Sequence, residues 1–294
     1  MQPRGWRASR QQSRAVQPKQ ADLLERMAIW RYPRPPRAGA PARIIMRGFI
    51  LAAGLGTRLR PLTDVLPKPL VPIAGQPLVE RAVCQLVAAG VNEIAINLFH
   101  LGEQIADYLG DGRQLGAQIT WFREGPEVLG TGGGLKNAEA FLRGGGDTFL
   151  LVNGDVWSNF DLGALAAGHR PDALATLAVC RVAHRPELHT VSVRQDSPGH
   201  GTVAHIRGRP TETPSDFKVI YSGIGVYASR ILERLPPSGP ACLVQDALIP
   251  GLADGEVVRW IEPEGAWFDC GTRGEVLRAS AFALRERAQR SAGV

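Results

Sequence analysis

From Met46 onward, short apolar runs alternate with stretches whose apolar residues recur at helical spacing. The runs at 48–53, 93–98, 118–123 and 148–152 have strand length, and helical patterns at 77–89, 101–109 and 133–142 lie between them. In the first of these helices Leu78, Ala82, Val83, Leu86 and Val87 keep one face apolar, and Gly90 stands where a helix stops. Alternation at this pace predicts βαβ units, hence a parallel sheet with helices on both faces. Phe149-Leu150-Leu151-Val152 is apolar at every position, as a strand covered on both sides requires. After Val156 the rhythm changes. Strand-like runs at 173–182, 190–194, 202–207, 219–227 and 257–261 are separated by turn-rich links, which predicts antiparallel additions or a small lobe. A closing helix at 273–289 begins at Thr272, with Glu275 at capping-box spacing. The expected fold class is α/β, a mostly parallel mixed sheet with a small antiparallel lobe, in a single domain over 46–294.

Residues 1–45 differ. They are rich in Arg, Gln and Pro and hold ten Lys/Arg against Asp22 and Glu25. Such a composition builds no core, and a disordered basic extension is expected. Two origins fit, a transit-like or polybasic arm and sequence upstream of a natural start at Met46; the second is the more economical. The net charge of +6 divides into +8 for this extension and −2 for the body, so it points to no nucleic-acid-binding face. No apolar run approaches the ~18 residues of a membrane span, and no membrane partner is expected. Cys84, Cys180, Cys242 and Cys270 are scattered without a CxxC pair. They are expected to be small buried hydrophobes in a reducing, cytoplasmic setting.

The stretch "FILAAGLGTRLRPLTDVLPKPL" at 49–70 is the first candidate for chemistry. It lacks the third glycine of a dinucleotide fingerprint, and no acidic residue follows at the required distance. No Gly-Lys-Ser/Thr occurs anywhere in the chain, which excludes a Walker A loop. The small residues Ala52, Ala53, Gly54 and Gly56 nevertheless let a base and ribose approach the backbone. Arg58 and Lys68 bring two cations to one anion, with Lys68 stiffened by Pro67 and Pro69. Arg60 is expected to be a solvated surface charge. His184, His189, His200 and His205 form no triad or metal pattern and are expected to face solvent.

Four ordered motifs carry a resemblance to the sugar-1-phosphate nucleotidylyltransferases: "LAAGLGTRLRPLTDVLPKPLVPIAGQPLV", "EVLGTGGGLKNA" at 127–138, "LLVNGDVW" at 150–157 and "WFDCGT" at 267–272. The resemblance covers 46 to about 283. It implies a Rossmann-like three-layer α/β/α fold and an enzyme that joins a nucleoside triphosphate to a sugar-1-phosphate with release of pyrophosphate. It further implies that Arg58 and Lys68 are catalytic. Leu51, Ala52, Ala53, Gly54, Gly56, Thr57, Gly130, Thr131 and Gly132 would bind the nucleotide, and Asp155 and Asp269 would hold Mg²⁺. Such chemistry must neutralise charge that gathers on phosphate, and Mg²⁺ favours carboxylates together with phosphate oxygens and water. On the sugar side the resemblance implies Asn153, Ser222 and Gly223, with Arg209 of "RGRP" standing where relatives carry a Glu-Lys-Pro lysine. Its implied partners are therefore small molecules; the oligomeric state is left open.

Members that read uracil or thymine often carry Gln three residues before the Thr of the Gly-Thr-Gly motif, and this chain has Val128 there. The motifs are similar both to N-acetylmuramate-1-phosphate uridylyltransferases and to mannose- or heptose-1-phosphate guanylyltransferases, with a slight lean to the first. A non-catalytic regulator on the same fold is the alternative of another class; the presence of all four charged site residues speaks against it.

Overall fold

The computed structural model describes residues 46–210 and 214–292. The basic extension expected at 1–45 lies outside the described residues. Strand β1 (Arg47–Leu51) opens the sheet, and a ribbon of β2 (Pro72–Ile73) and β3 (Gln76–Pro77) leads into helix α1 (Leu78–Ala88). Then come β4 (Glu93–Leu98), α2 (Gly102–Leu109), β5 (Gln118–Arg123), α3 (Gly130–Asn137), α4 (Glu139–Arg143) and β6 (Thr148–Asn153). A short β7 (Val156–Ser158) and α5 (Leu162–Ala167) precede β8 (Ala173–Cys180), β9 (Val191–Ser197), β10 (His200–Ile206) and the long β11 (Phe217–Ala228). Helix α6 (Ile249–Ala253), β12 (Val257–Ile261), β13 (Trp267–Asp269) and α7 (Arg273–Ala292) complete the order.

Nine strands form one mixed sheet in the order β5-β4-β1-β6-β11-β8-β12-β10-β9. β5, β4, β1 and β6 run parallel. β11 is antiparallel to both β6 and β8, and only β8–β12 is parallel in the second half. The expected antiparallel additions thus continue the main sheet, while two-stranded antiparallel ribbons, β2–β3 and β7–β13, stand beside it. β9 also pairs with the start of β11, so β11, β8, β12, β10 and β9 close on themselves.

The period-2 alternation of the central strands feeds two cores. Ile50, Ile94, Ile96, Leu150 and Val152 face α1, α2 and α5, where Val83, Leu86, Ile105 and Leu165 complete the layer. Phe49, Ala95 and Leu151 point the other way, onto Leu135 and Leu142 of α3 and α4 and onto Ile231 and Leu248 of the segment before β12. A third cluster lies under α7, where Ala279 and Ala283 pack with Leu59, Ile73 and Trp157.

The expected strands at 93–98, 118–123 and 257–261 form with those bounds. The helix expected at 133–142 starts instead at Gly130 and breaks at Ala138. Glycine is a poor helix former, so local propensity places the start late. The amides of Gly132 and Gly133 overcome this by donating to the Ala241 carbonyl, at 2.8 and 3.3 Å. Helical turns at Ser229–Arg234 and Leu243–Leu248 give no clear period, being separated by Pro236, Pro237 and Pro240. His205, expected at the surface, is buried in β10, whereas His184 and His200 are exposed. Of the four cysteines, Cys270 is buried and the others are half-buried.

Leu86 on α1 fills the space that Gly48 leaves open on β1, where an added Cβ would stand 3.0 Å from Leu86. Leu86→Ala is expected to lower stability by about 2–5 kcal/mol through the cavity it opens. A fall in the denaturation midpoint at unchanged m-value checks it.

Candidate functional site

Parallel pairing of β1 with β6 sets Leu51 opposite Asn153, so both strands end at one edge, where open α/β sheets bind ligands. Beyond β6 the chain turns sharply, with the Gly154 amide donating to the Leu51 carbonyl at 2.8 Å. A Cβ at 154 would meet that same oxygen at 2.8 Å. The turn delivers Asp155 beside the Ala52-Ala53-Gly54 loop. Lys68 enters from the other side on a 3₁₀ turn, Lys68–Leu70, held by Pro67 and Pro69. Its side chain is only 7 % exposed and its Nζ lies 2.7 Å from Asp155 Oδ2. The ribbon of β7 and β13 pairs Asp269 with Val156, which places the second aspartate next to the first in register. Arg58 reaches Asp269 at 3.7 Å while remaining 60 % exposed. Gly271 makes room, since a Cβ there would stand 2.6 Å from the Arg58 guanidinium.

Two cavities meet at this edge. The first, about 400 Å³, is lined by the Leu51–Arg58 loop, Lys68, Asn97, Val128, Gly130, Thr131, Asn153 and Asp155. The second, about 360 Å³, is lined on its polar side by Arg58, Asn153, Asp155, Glu187, Arg207 and Asp269. Arg58, Asn153 and Asp155 belong to both. They form the seam between one chamber floored by small residues and another with mixed charge.

Asn97, at the end of β4, is a residue that sequence reasoning missed. Almost fully buried, it accepts from the Ala52 amide at 2.7 Å and donates to Glu124 at 2.7 Å. Glu124 in turn accepts from the Leu129 amide at 2.8 Å. This relay ties the first glycine loop to the start of α3. An added Cβ at Gly134 would come within 2.7 Å of Asn97. The signal available was one amide in the otherwise apolar interior of "EIAINL".

Arg185 was missed as well. Its side chain is 15 % exposed and faces Glu187 at 2.6 Å, Asp269 at 3.5 Å and Glu275 at 3.8 Å. The hydrogen bond from Arg185 holds the Glu187 carboxyl below its usual range. Burial pushes the Cys270 thiol, beside Asp269, up to about 12; Lys68 opposes this weakly. A thiol so raised is protonated at neutral pH.

Residues 47–286 match the nucleotidyl transferase family. The chain belongs to that family. The N-acetylmuramate alpha-1-phosphate uridylyltransferase of Neisseria meningitidis serogroup B is 35 % identical over 242 residues, 81 % of this chain and 98 % of the relative. The mannose-1-phosphate guanylyltransferase of Mycobacterium tuberculosis is 32 % identical over 238 residues. That match covers 80 % of this chain but 64 % of the relative, so the chain spans slightly under two thirds of that protein's length. Among solved structures, HddC from Yersinia pseudotuberculosis complexed with GMP-PN matches at 25 % identity and a TM-score of 0.63, covering 80 % of this chain and 98 % of that one. UDP-glucose pyrophosphorylase complexed with UDP-glucose, 20 % identical, shares the fold at a TM-score of 0.65, covering 82 % and 99 %.

In this transferase most of the residues singled out from sequence do converge. Leu51, Ala52, Ala53, Gly54, Gly56, Thr57, Gly130 and Thr131 line the first cavity with Arg58 and Lys68. Gly132 does not line it; its amide is bound to Ala241 and a Cβ there would meet Leu235 at 2.7 Å, so packing demands that glycine. Ser222 and Gly223 line the second cavity, but the Ser222 hydroxyl donates to the Ala178 carbonyl at 2.7 Å. It stitches a bulge in β11 between Tyr221 and Gly225, and Gly223 at φ +80° passes under Asn153. Arg209 lines neither cavity, whereas Arg207 lines the second. Arg60 is exposed and pairs with Asp64 at 3.1 Å, as a surface charge should.

The two loop glycines separate ligand space from packing. A Cβ at Gly54 meets nothing within 4 Å, while Gly56, at φ +64°, would press it against Thr63 and Lys68. Gly54→Ala is expected to keep the melting temperature and raise the KM for the nucleotide. Gly56→Ala is expected to lose about 1–2 kcal/mol of stability. Thermal melts paired with steady-state kinetics separate the two.

Proposed function

We propose that the chain transfers a nucleoside monophosphate from UTP to N-acetylmuramate-1-phosphate or a similar sugar-1-phosphate, releasing pyrophosphate. The observation that carries the transfer itself is the meeting of Arg58 with Asp269 and of Lys68 with Asp155 where the two chambers adjoin. The choice of pair rests on the uridylyltransferase relative, which the chain matches over nearly its whole length.

The triphosphate occupies the first cavity. Its base and ribose lie against the open face at Gly54, and its phosphates reach Arg58 and Lys68. Arg58, exposed and loosely paired, is free to swing onto a phosphate. Lys68 is held in place by Asp155 and needs little reordering, which is what electrostatic stabilisation of a transition state asks for. The acceptor occupies the second cavity, its sugar near Asn153 and its phosphate on Arg207. That guanidinium, in place of Arg209, can grip a phosphate by a bidentate fork. An acceptor phosphate oxygen attacks the α-phosphorus, and the bond from that phosphorus to the leaving pyrophosphate breaks. Each negative charge shifted is met by Arg58 and Lys68.

Asp155 and Asp269 would hold Mg²⁺. Among the described residues no third His, Cys, Asp or Glu joins them as a metal group. Two carboxylates at the rim of an open chamber suit an ion that keeps water and phosphate oxygens as its remaining ligands. When bound, it would neutralise charge on the phosphates. Val128 offers no amide to a base; a guanylyltransferase is the second reading, favoured by the mannose-1-phosphate relative.

Pyrophosphate release from four nucleoside triphosphates against a panel of sugar-1-phosphates is expected to peak with UTP and N-acetylmuramate-1-phosphate. A GTP and mannose- or heptose-1-phosphate optimum selects the second reading, and no turnover with any pair favours a regulator. Asp155→Ala and Lys68→Met are expected to remain folded by circular dichroism and to lose about 10²-fold or more in kcat. Arg207 adopts φ +53°. Arg207→Gly is therefore expected to hold or raise the melting temperature, while the KM for the sugar-1-phosphate rises at least about tenfold, the ~1.4 kcal/mol of a charged contact. Arg209→Ala is expected to leave both KM values near wild type.

A further inference from the structure

The loop between β8 and β9 does more than border the second cavity. Glu187, Leu188 and Thr190 line that cavity. The same turn carries Arg185, whose carbonyl accepts from the Leu188 amide at 3.1 Å. Arg185 itself lines neither cavity and reaches into a nest of three carboxylates, two of which, Glu187 and Asp269, line the second. One of these, Glu275, is a fixed anchor: it is nearly buried in the first turn of α7, its amide is capped by Thr272 at 3.3 Å, and Arg278 pairs with it at 2.8 Å. Another is Asp269, which has two cations: Arg58 at 3.7 Å and Arg185 at 3.5 Å. They differ in freedom, since Arg58 is 60 % exposed and Arg185 only 15 %.

We infer that Arg185 is a positioning residue that holds the Asp269 carboxylate in place and couples its orientation to the acceptor cavity. This rests on the reading of Asp269 as a metal-side carboxylate. When phosphates draw Arg58 away, Arg185 is the cation left on Asp269. Its planar fork faces Asp269 with one terminal nitrogen and Glu275 with the other, a span that the single ammonium of lysine does not cover. An acceptor pressing on Glu187 and Leu188 bears on the turn that carries Arg185. Side chains that orient a metal ligand typically change metal affinity by about 10- to 100-fold when lost.

The test compares wild type with Arg185→Gln and Arg185→Lys in the full chain, with Mn²⁺ as the probe. Mn²⁺ affinity is measured by electron paramagnetic resonance on the UTP complex without acceptor, together with the KM of each substrate. Arg185→Gln is expected to weaken Mn²⁺ about tenfold or more and to raise the acceptor KM, with the UTP KM held within about twofold. Arg185→Lys is expected to fall between. Glu187→Gln keeps the Asp269 contact and is expected to raise the acceptor KM with Mn²⁺ affinity held, which guards against a loop that merely collapses. Mn²⁺ affinity and acceptor KM both unchanged in Arg185→Gln overturn the inference. Asp269→Ala with wild-type Mn²⁺ affinity overturns instead the reading of Asp269 on which it stands.

Discussion

A nearly buried ammonium must have a carboxylate beside it, and the contact between Lys68 and Asp155 at 2.7 Å answers that demand. The two residues lie 87 positions apart. Bringing them together obliges three pieces of chain to meet: the turn between Pro67 and Pro69, the end of β6 and the loop that leaves β1. Nothing local enforces that meeting. The parallel pairing of β1 and β6 does, and the two-faced core behind those strands holds the pairing in register.

Once the edge is set, the chambers on either side of it are shaped by different devices. The first relies on missing side chains and on a buried amide, Asn97, that links two glycine-rich segments. The second relies on a bulge in β11, stitched by Ser222, and on the loop that carries Arg185 and Glu187. Charges that the family resemblance assigns to substrates are already paired with one another. Lys68 lies 2.7 Å from Asp155 and Arg58 lies 3.7 Å from Asp269, so the cations are already oriented by carboxylates, which under the proposed reading limits the reorganisation that binding must bring about.

The parallel half of the sheet was legible because buried strands are written as continuous apolar runs, and α1 because its stripe spans three turns. The antiparallel half was legible as strands but not as one sheet, since partner choice and closure between β9 and β11 leave no periodic mark. Helix α3 began earlier than its glycines suggest because the Ala241 carbonyl satisfied its first amides. At the site, Arg58, Lys68, Asp155 and the first glycine loop stood out by motif and converged. Gly132 and Ser222 also stood out; the Gly132 amide is bound to the Ala241 carbonyl and the Ser222 hydroxyl to the Ala178 carbonyl, with Ser222 lining the second cavity. Arg209 was the candidate substitute in "RGRP"; it lines neither cavity, and Arg207, just past the end of β10, lines the second. Asn97 and Arg185 carried no motif, because their roles come from contacts across 45 and 84 positions of chain respectively.

By itself the sequence determined the α/β class and the order of the main-sheet strands along the chain, and it carried the small residues, cations and aspartates that the proposed chemistry uses. Those properties are local: periodicity follows backbone geometry, and a motif is a run of neighbours. Only the tertiary structure decided which glycines stand beside open space and which beside another chain segment, which arginine lines the second cavity, and which cations stand beside Asp269. Each of these is a distance between residues remote in sequence. Such distances are set by strand register, bulge and core packing acting together, and no stretch of residues contains them alone.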